Sequence, residues 1–167
     1  AVETWGELNA ARDNAVLVFT GLSVGAHAAS HHGDSVAGWW EKQIGSGKAL
    51  DTDQLFVLCV NSLGSCFGST GPAATNPATG ESYGTTFPLL HVADIARAGQ
   101  AAVEQLGIQK LLAVVGPSLG GMTVMAHAAQ FTEAARGLVS ISGALAPHAY
   151  AVATRSLQRE IVGTAWR

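Results

Sequence analysis

A serine set between glycines, Gly116-Pro117-Ser118-Leu119-Gly120, is the segment of this chain best suited to covalent chemistry. Acyl transfer through a serine needs an exposed hydroxyl, a base for its proton, and two N–H donors aimed at the alkoxide that forms. The G-x-S-x-G spacing presents the hydroxyl when a strand runs into it and a helix leaves it. Both flanks are legible: the apolar run Leu111 to Val115 precedes the turn, and Met122 to Ala129 follows as a buried, helix-forming run. Glycines on either side permit a sharp reversal without Cβ clashes, and Gly121 lets the helix pack close. The helix start behind the serine offers free N–H groups and the positive end of its dipole. Ser118 is the candidate nucleophile, and the flanks disfavour the blander reading of an ordinary glycine-rich strand-to-helix turn.

Leu119, the residue after the serine, supplies one oxyanion N–H. The second is expected from the loop after an earlier strand, Thr20-Gly21-Leu22-Ser23, and spacing alone does not choose among its residues. A base and an orienting acid should follow in the order Ser, Asp/Glu, His. After Ser118 the chain has no Asp; its acids are Glu133 and Glu160, and its histidines are His127 and His148. His127 lies inside the helix behind the turn and is expected to point into the packing, and His148 comes too early to follow a later strand. The triad is incomplete within this chain.

Other reactive residue types have simpler readings. His27, His31 and His32 form H-x3-H-H, but no further Cys or His has ligand spacing, so a solvated loop is expected and no metal. Trp39 and Trp40 anchor a loop more readily than they line a channel. Cys59 reads as a buried small hydrophobe, and Cys66 lies in a glycine-rich loop with no neighbouring base. Gly64, Gly68 and Gly71 lack the G-x-x-x-x-G-K-[ST] pattern of a phosphate loop and suit a rigid wall beside the site. Asp51, Asp53 and Asp94 are turn or cap residues.

The elements that must hold Ser118 follow from hydrophobic patterning. Ala15 to Phe19, Leu55 to Val60, Leu111 to Val115 and, more weakly, Leu138 to Ile141 are short continuous apolar runs, as in strands buried on both faces. Val92 to Leu106 has apolar residues at 92, 95, 96, 99, 102, 103 and 106, one stripe of a helix that Gly107 stops. Strand and helix alternate, which predicts an α/β architecture with a mostly parallel sheet and helices on both faces. The long polar stretch Ser62 to Phe87 is too long for a simple connection and is expected to be functional.

Composition narrows the classes further. The 167 residues suit one domain; apolar residues make up 48% and charged residues 13%, with a net charge of −3. Lys and Arg total 9 without clustering, so nucleic acid is not an expected partner. No apolar run approaches the roughly 20 residues that span a bilayer, and Ala1 to Trp5 does not read as a signal peptide. With 2 cysteines, a reducing cytoplasmic compartment is expected. So apolar a chain is expected to belong to an oligomer or to something larger.

The blocks Asn14 to Val18 with Thr20-Gly21-Leu22-Ser23 and Ala26-His27, Gly38-Trp39-Trp40 with Gly47-Lys48-Ala49 and Asp51-Thr52-Asp53, and Asn61-Ser62-Leu63-Gly64-Ser65-Cys66 with Gly68-Ser69-Thr70-Gly71-Pro72 span nearly the whole chain. Together they resemble the homoserine O-acetyltransferase family, amino-acid O-acyltransferases of the α/β-hydrolase fold. The wording at Thr20 to Ser23, Asn61 to Cys66 and Arg155 to Glu160 is most similar to serine O-succinyltransferases. The resemblance implies a ping-pong reaction in cysteine or methionine biosynthesis. Ser118 would take an acetyl or succinyl group from acetyl-CoA or succinyl-CoA and pass it to the hydroxyl of L-serine or L-homoserine, with no bound cofactor. It also implies Leu22 and Leu119 as the oxyanion N–H donors and a homodimer when full length. In that family the triad Asp and His, a helical lid and the later strands lie beyond Arg167. Residues 1–167 are therefore expected to be the N-terminal part of a single catalytic domain, inactive alone. An esterase of the same fold and a non-catalytic remnant are the alternatives.

Overall fold

The computed structural model describes residues 1–165; the last two positions of the expected span 1–167 lie outside the described residues. Five strands, β1 (Val2–Trp5), β2 (Ala15–Phe19), β3 (Phe56–Val60), β4 (Leu111–Pro117) and β5 (Ala135–Ile141), form one sheet in the order β1-β3-β2-β4-β5. β3, β2, β4 and β5 run parallel, and β1 pairs antiparallel with β3 at the edge. The helices are α1 (Val92–Gln105), α2 (Leu119–Gln130) and α3 (Ala149–Ala165).

β2 is buried at every position, which is why its sequence is an unbroken apolar run and not an alternating one. One set of its side chains, Ala15, Leu17 and Phe19, packs with Ile95 and Val103 of α1 and Val124 of α2. The other set, Val16 and Val18, packs with Val57, Cys59 and Val115 under a loop layer carrying Ala28, Ala29, Ile44 and the two tryptophans. The α/β sheet stands as expected, but of the described residues only loop covers this second face where a helix was anticipated. The physical reason lies in residues 21–55, where glycines, turns and polar side chains interrupt any helical stripe. Trp39 donates its indole N–H to the Gly25 carbonyl at 2.9 Å and stacks 5.0 Å from Trp40, so the pair anchors this loop. Glu41 organises it further by accepting from the Ser30 and Gly38 amides, bonds that hold its carboxyl down to about 2.

α1 starts where the Asp94 carboxylate accepts from the His91 amide at 2.8 Å and stops where Gly107 takes a φ of 67°. α3, by contrast, has no buried residue. Among the described residues no helix is long and apolar enough to cross a membrane.

α1 and α2 share a buried polar contact. His127 of α2 is fully buried between Phe19 and Phe131, and its Nε2 meets Gln100 Oε1 of α1 at 2.9 Å. Gln100 uses its amide nitrogen on Glu104, so its oxygen is the acceptor and His127 donates. Burial lowers the His127 pKa below the ordinary 6.5. An unfolded chain then takes a proton at this ring before the folded chain does. The stability carried by neutral His127 is complete above the unfolded pKa and is lost as pH falls towards the folded one. His27 has the opposite sign, since the Val36 carbonyl and then the Glu3 carboxylate raise it. The comparison that isolates His127 is therefore wild type against His127→Gln. In urea unfolding at about pH 7.5 and about pH 5.5, the wild-type midpoint is expected to lose ground at the lower pH relative to that of the variant, His27 contributing equally to both.

Candidate functional site

From β2 the chain moves to β3 on one side and then crosses back to β4 on the other. The loops leaving the carboxyl ends of β2 and β4 therefore diverge, which makes this end of the sheet the usual ligand position in such folds. The Leu22 loop leaves β2 at this place, and Ser118 follows β4.

Ser118 is exposed and sits at φ 54°, ψ −115°, a conformation that non-glycine residues avoid. Its amide donates to the Ile141 carbonyl of β5 at 2.8 Å, and its carbonyl accepts from Met122 at 3.1 Å. The flanking glycines are demanded by contact. A Cβ on Gly116 would lie 2.5 Å from the Gly120 carbonyl, and one on Gly120 would lie 2.9 Å from the Thr20 carbonyl oxygen. The corner closes only because both side chains are missing, so the backbone is wedged into its strained geometry and the hydroxyl is pushed outwards.

Leu119 is the first residue of α2, so its N–H has no partner inside the helix. Thr123 steadies that turn by donating to the Leu119 carbonyl at 2.9 Å. Leu22 is exposed, and its neighbour Gly21 approaches the strand end before the serine; a Cβ there would be 3.9 Å from the Pro117 oxygen. The three expected site residues thus come to one end of the sheet. His127 is turned away into the helix interface, as expected, and its Nδ1 is buried without a partner. His148 accepts from the Tyr150 amide at the start of α3, at 3.3 Å.

A pocket of about 570 Å³ opens beside the Leu22 loop, walled by Gly64, Cys66, Phe67, Gly71 and Pro72. Asn61 fixes that wall: its side-chain amide donates to Ser65 Oγ at 2.8 Å and to the Phe67 carbonyl at 2.9 Å. Thr20 and Ser62 link the ends of β2 and β3 through buried hydroxyls 3.1 Å apart. Thr20, Asn61 and Ser62 stood in the sequence only as parts of longer blocks, with no role of their own; polar residues directly after buried strands were the available signal. Cys59 is buried, which pushes its thiol well up and leaves it inert, and Cys66 is exposed. Asp51 accepts from the Gly47 and Asp53 amides, the turn role expected of it.

A serine on a strand-turn-helix corner, at the carboxyl end of a mostly parallel sheet, defines the class as an α/β protein with a nucleophile-elbow type of turn. The chain belongs to the alpha/beta hydrolase fold family, whose profile matches residues 14–164. It is 56% identical to an L-serine/homoserine O-acetyltransferase of Streptomyces lavendulae, over 97% of this chain and 43% of that protein. It is 52% identical to a serine O-succinyltransferase of Litchfieldella anticariensis, over 97% and 44%. Among solved structures it resembles esterase E22 with a TM-score of 0.81 at 36% identity, covering 89% of this chain and 43% of that one. It also resembles a homoserine O-acetyltransferase from Bacillus anthracis with a TM-score of 0.77 at 36% identity, covering 85% and 39%. The chain spans less than half the length of the curated relatives it matches.

Two substitutions test the corner. Ser118→Gly relieves backbone strain of about 1–3 kcal/mol, offset by about 0.5–1 kcal/mol of added unfolded-state entropy. A net gain on the order of 1 kcal/mol is expected in denaturant unfolding. Gly120→Ala drives a methyl into the end of β2 and is expected to cost about 1–3 kcal/mol by the same measurement.

Proposed function

We propose that the chain is the nucleophile-bearing part of an acyl-CoA-dependent amino-acid O-acyltransferase. Ser118 Oγ attacks the thioester carbonyl of acetyl-CoA or succinyl-CoA, the C–S bond breaks, and CoA leaves as the thiol with the serine proton. The hydroxyl of L-serine or L-homoserine then attacks the acyl-serine ester, its oxygen takes the acyl group, and the proton returns to Ser118. The N–H groups of Leu22 and Leu119 stabilise the alkoxide in both steps, where such donors contribute several kcal/mol. The thioester supplies its own leaving group, so no resident cofactor is required. The observation that carries the reading is the exposed, strained Ser118 with a helix amide behind it, in a chain 56% identical to a protein named for this transfer.

Proton transfer needs a base with its orienting acid. His127 is committed to Gln100, and the reading assigns the triad Asp and His to sequence after Arg167 in the whole protein. The same assignment places the homodimer contacts there. The reaction is placed in the cytoplasm, where acyl-CoA and free amino acids meet.

The likeness to esterase E22 favours a second reading in which water accepts the acyl group. Incubation of the whole protein with acyl-CoA separates the two. Transfer predicts an acyl adduct on Ser118 by mass spectrometry, a burst of free CoA, and discharge that accelerates with added serine or homoserine. Ser118→Ala should abolish the adduct. Free acid released at the same rate with and without the amino acid would establish the esterase instead. The 167-residue chain alone is expected not to turn over, and ordinary turnover by it would refute the incomplete triad.

A further inference from the structure

Away from the serine, Glu3 of β1 meets two histidines of the loop after β2. His27 Nδ1 lies 2.8 Å and His31 Nε2 lies 3.4 Å from Glu3 Oε2, and the three donor atoms all lie within 4.8 Å of one another. Asp34 Oδ2 stands 4.0 Å from His27 Nδ1. We infer that Glu3, His27 and His31 form a binding site for a divalent transition metal, zinc by the character of the donors, that fastens the edge strand to the loop layer.

The orientation of His27 points to a cation. Its Nε2 faces the Val36 carbonyl at 2.7 Å, and a carbonyl only accepts, so the ring proton belongs on Nε2. The Nδ1 lone pair of such a ring would face a carboxylate, an arrangement that needs positive charge between the two atoms. A metal ion answers that need as well as a second proton does. A ligating histidine whose other N–H is held by a backbone carbonyl is the usual outer arrangement of a protein metal site. Two imidazoles with one carboxylate suit zinc and its neighbours; magnesium and calcium take all-oxygen sets.

The site is accessible and supported. The side chains of His27, Glu3 and His31 keep 25%, 30% and 33% of their surface open, enough for an ion to enter and for water or Asp34 to fill a fourth position. Trp5, two residues from Glu3, is buried and donates its indole N–H to the Ala29 carbonyl at 3.1 Å, which fixes strand against loop. Two existing bonds must yield: the 2.8 Å contact of His27 Nδ1 with Glu3 Oε2 opens to admit the ion, and one bond to His31 is lost. The Gly33 amide donates to His31 Nδ1 at 3.1 Å, and a metal on Nε2 would move the ring proton to Nδ1. Both groups lie on an exposed turn, where water replaces that bond.

The test uses the full chain stripped of metal with a chelator. Calorimetric titration with Zn2+ is expected to show one ion per chain at micromolar affinity or tighter, together with a raised thermal midpoint. Co2+ should give the intense visible bands of a four-coordinate site. His31→Asn and Glu3→Gln should each weaken Zn2+ binding at least tenfold, and His148→Asn should leave it unchanged. His31 and Glu3 are partly exposed, so an unchanged metal-free midpoint in these variants separates lost binding from lost folding. Absence of stoichiometric binding, or binding that survives both His31→Asn and Glu3→Gln, would overturn the inference.

Discussion

The backbone at Ser118 is held where an L-residue does not rest, and the rest of the structure can be understood as what holds it there. A conformation of this kind costs on the order of 1–3 kcal/mol. Burying one or two large apolar side chains offsets that amount, at about 1.5–3 kcal/mol each. β2 alone buries five residues directly beneath the corner. The energy stored at the serine is therefore small against the core that supports it, and the geometry is secured by contact. Gly116 and Gly120 interlock, Gly120 rests on the end of β2, and the Ser118 amide is tied to β5. A looser corner would let the hydroxyl rotate inwards and would move the helix amides away from it.

The sheet order turns this local strain into a site. Because β2 and β4 are neighbours while β3 lies on the far side of β2, the loops after β2 and β4 part at one end of the sheet. The serine and the Leu22 loop occupy that parting. The segment after β3 then closes one flank, with Asn61 pinning Ser65 and Phe67 in place. A polar segment of this length could not be ordered by apolar burial, so its backbone and hydroxyl hydrogen bonds do that work.

Much of this was legible in the chain itself, for identifiable reasons. β2, β3 and β4 could be read because strands buried on both faces must be apolar throughout, and α1 because only one side of it meets the sheet. Ser118 could be read because the close approach leaves glycine as the sole choice at two nearby positions. The run before Ser118 extends as strand through Gly116 and Pro117, further than its apolar residues alone suggested. α3 does carry an apolar stripe at 150, 153, 157 and 161, a spacing not read as a helix from sequence, and among the described residues that stripe is left exposed. The loop layer over the second face follows from tertiary packing of two tryptophans and the alanines at 28 and 29, which no periodicity announces. The Glu3–His27–His31 cluster was equally hidden. Its carboxylate lies 24 residues before the first histidine in sequence, and only the pairing of β1 with β3 brings it into reach.

The corner is anchored to β5, whose outer side is open among the described residues. Among the described residues β5 pairs only with β4, and Leu138, Val139 and Ile141 are exposed by 51%, 46% and 41%. The Ile141 carbonyl nevertheless receives the Ser118 amide, and the Ser140 hydroxyl donates to the Gly121 carbonyl at 3.0 Å. Loss of β5 from the sheet would release the serine amide while β2, β3 and the packing of α1 remained intact. The geometry at Ser118 is therefore coupled to β5, and anything that covers the apolar face of β5 also stiffens the serine.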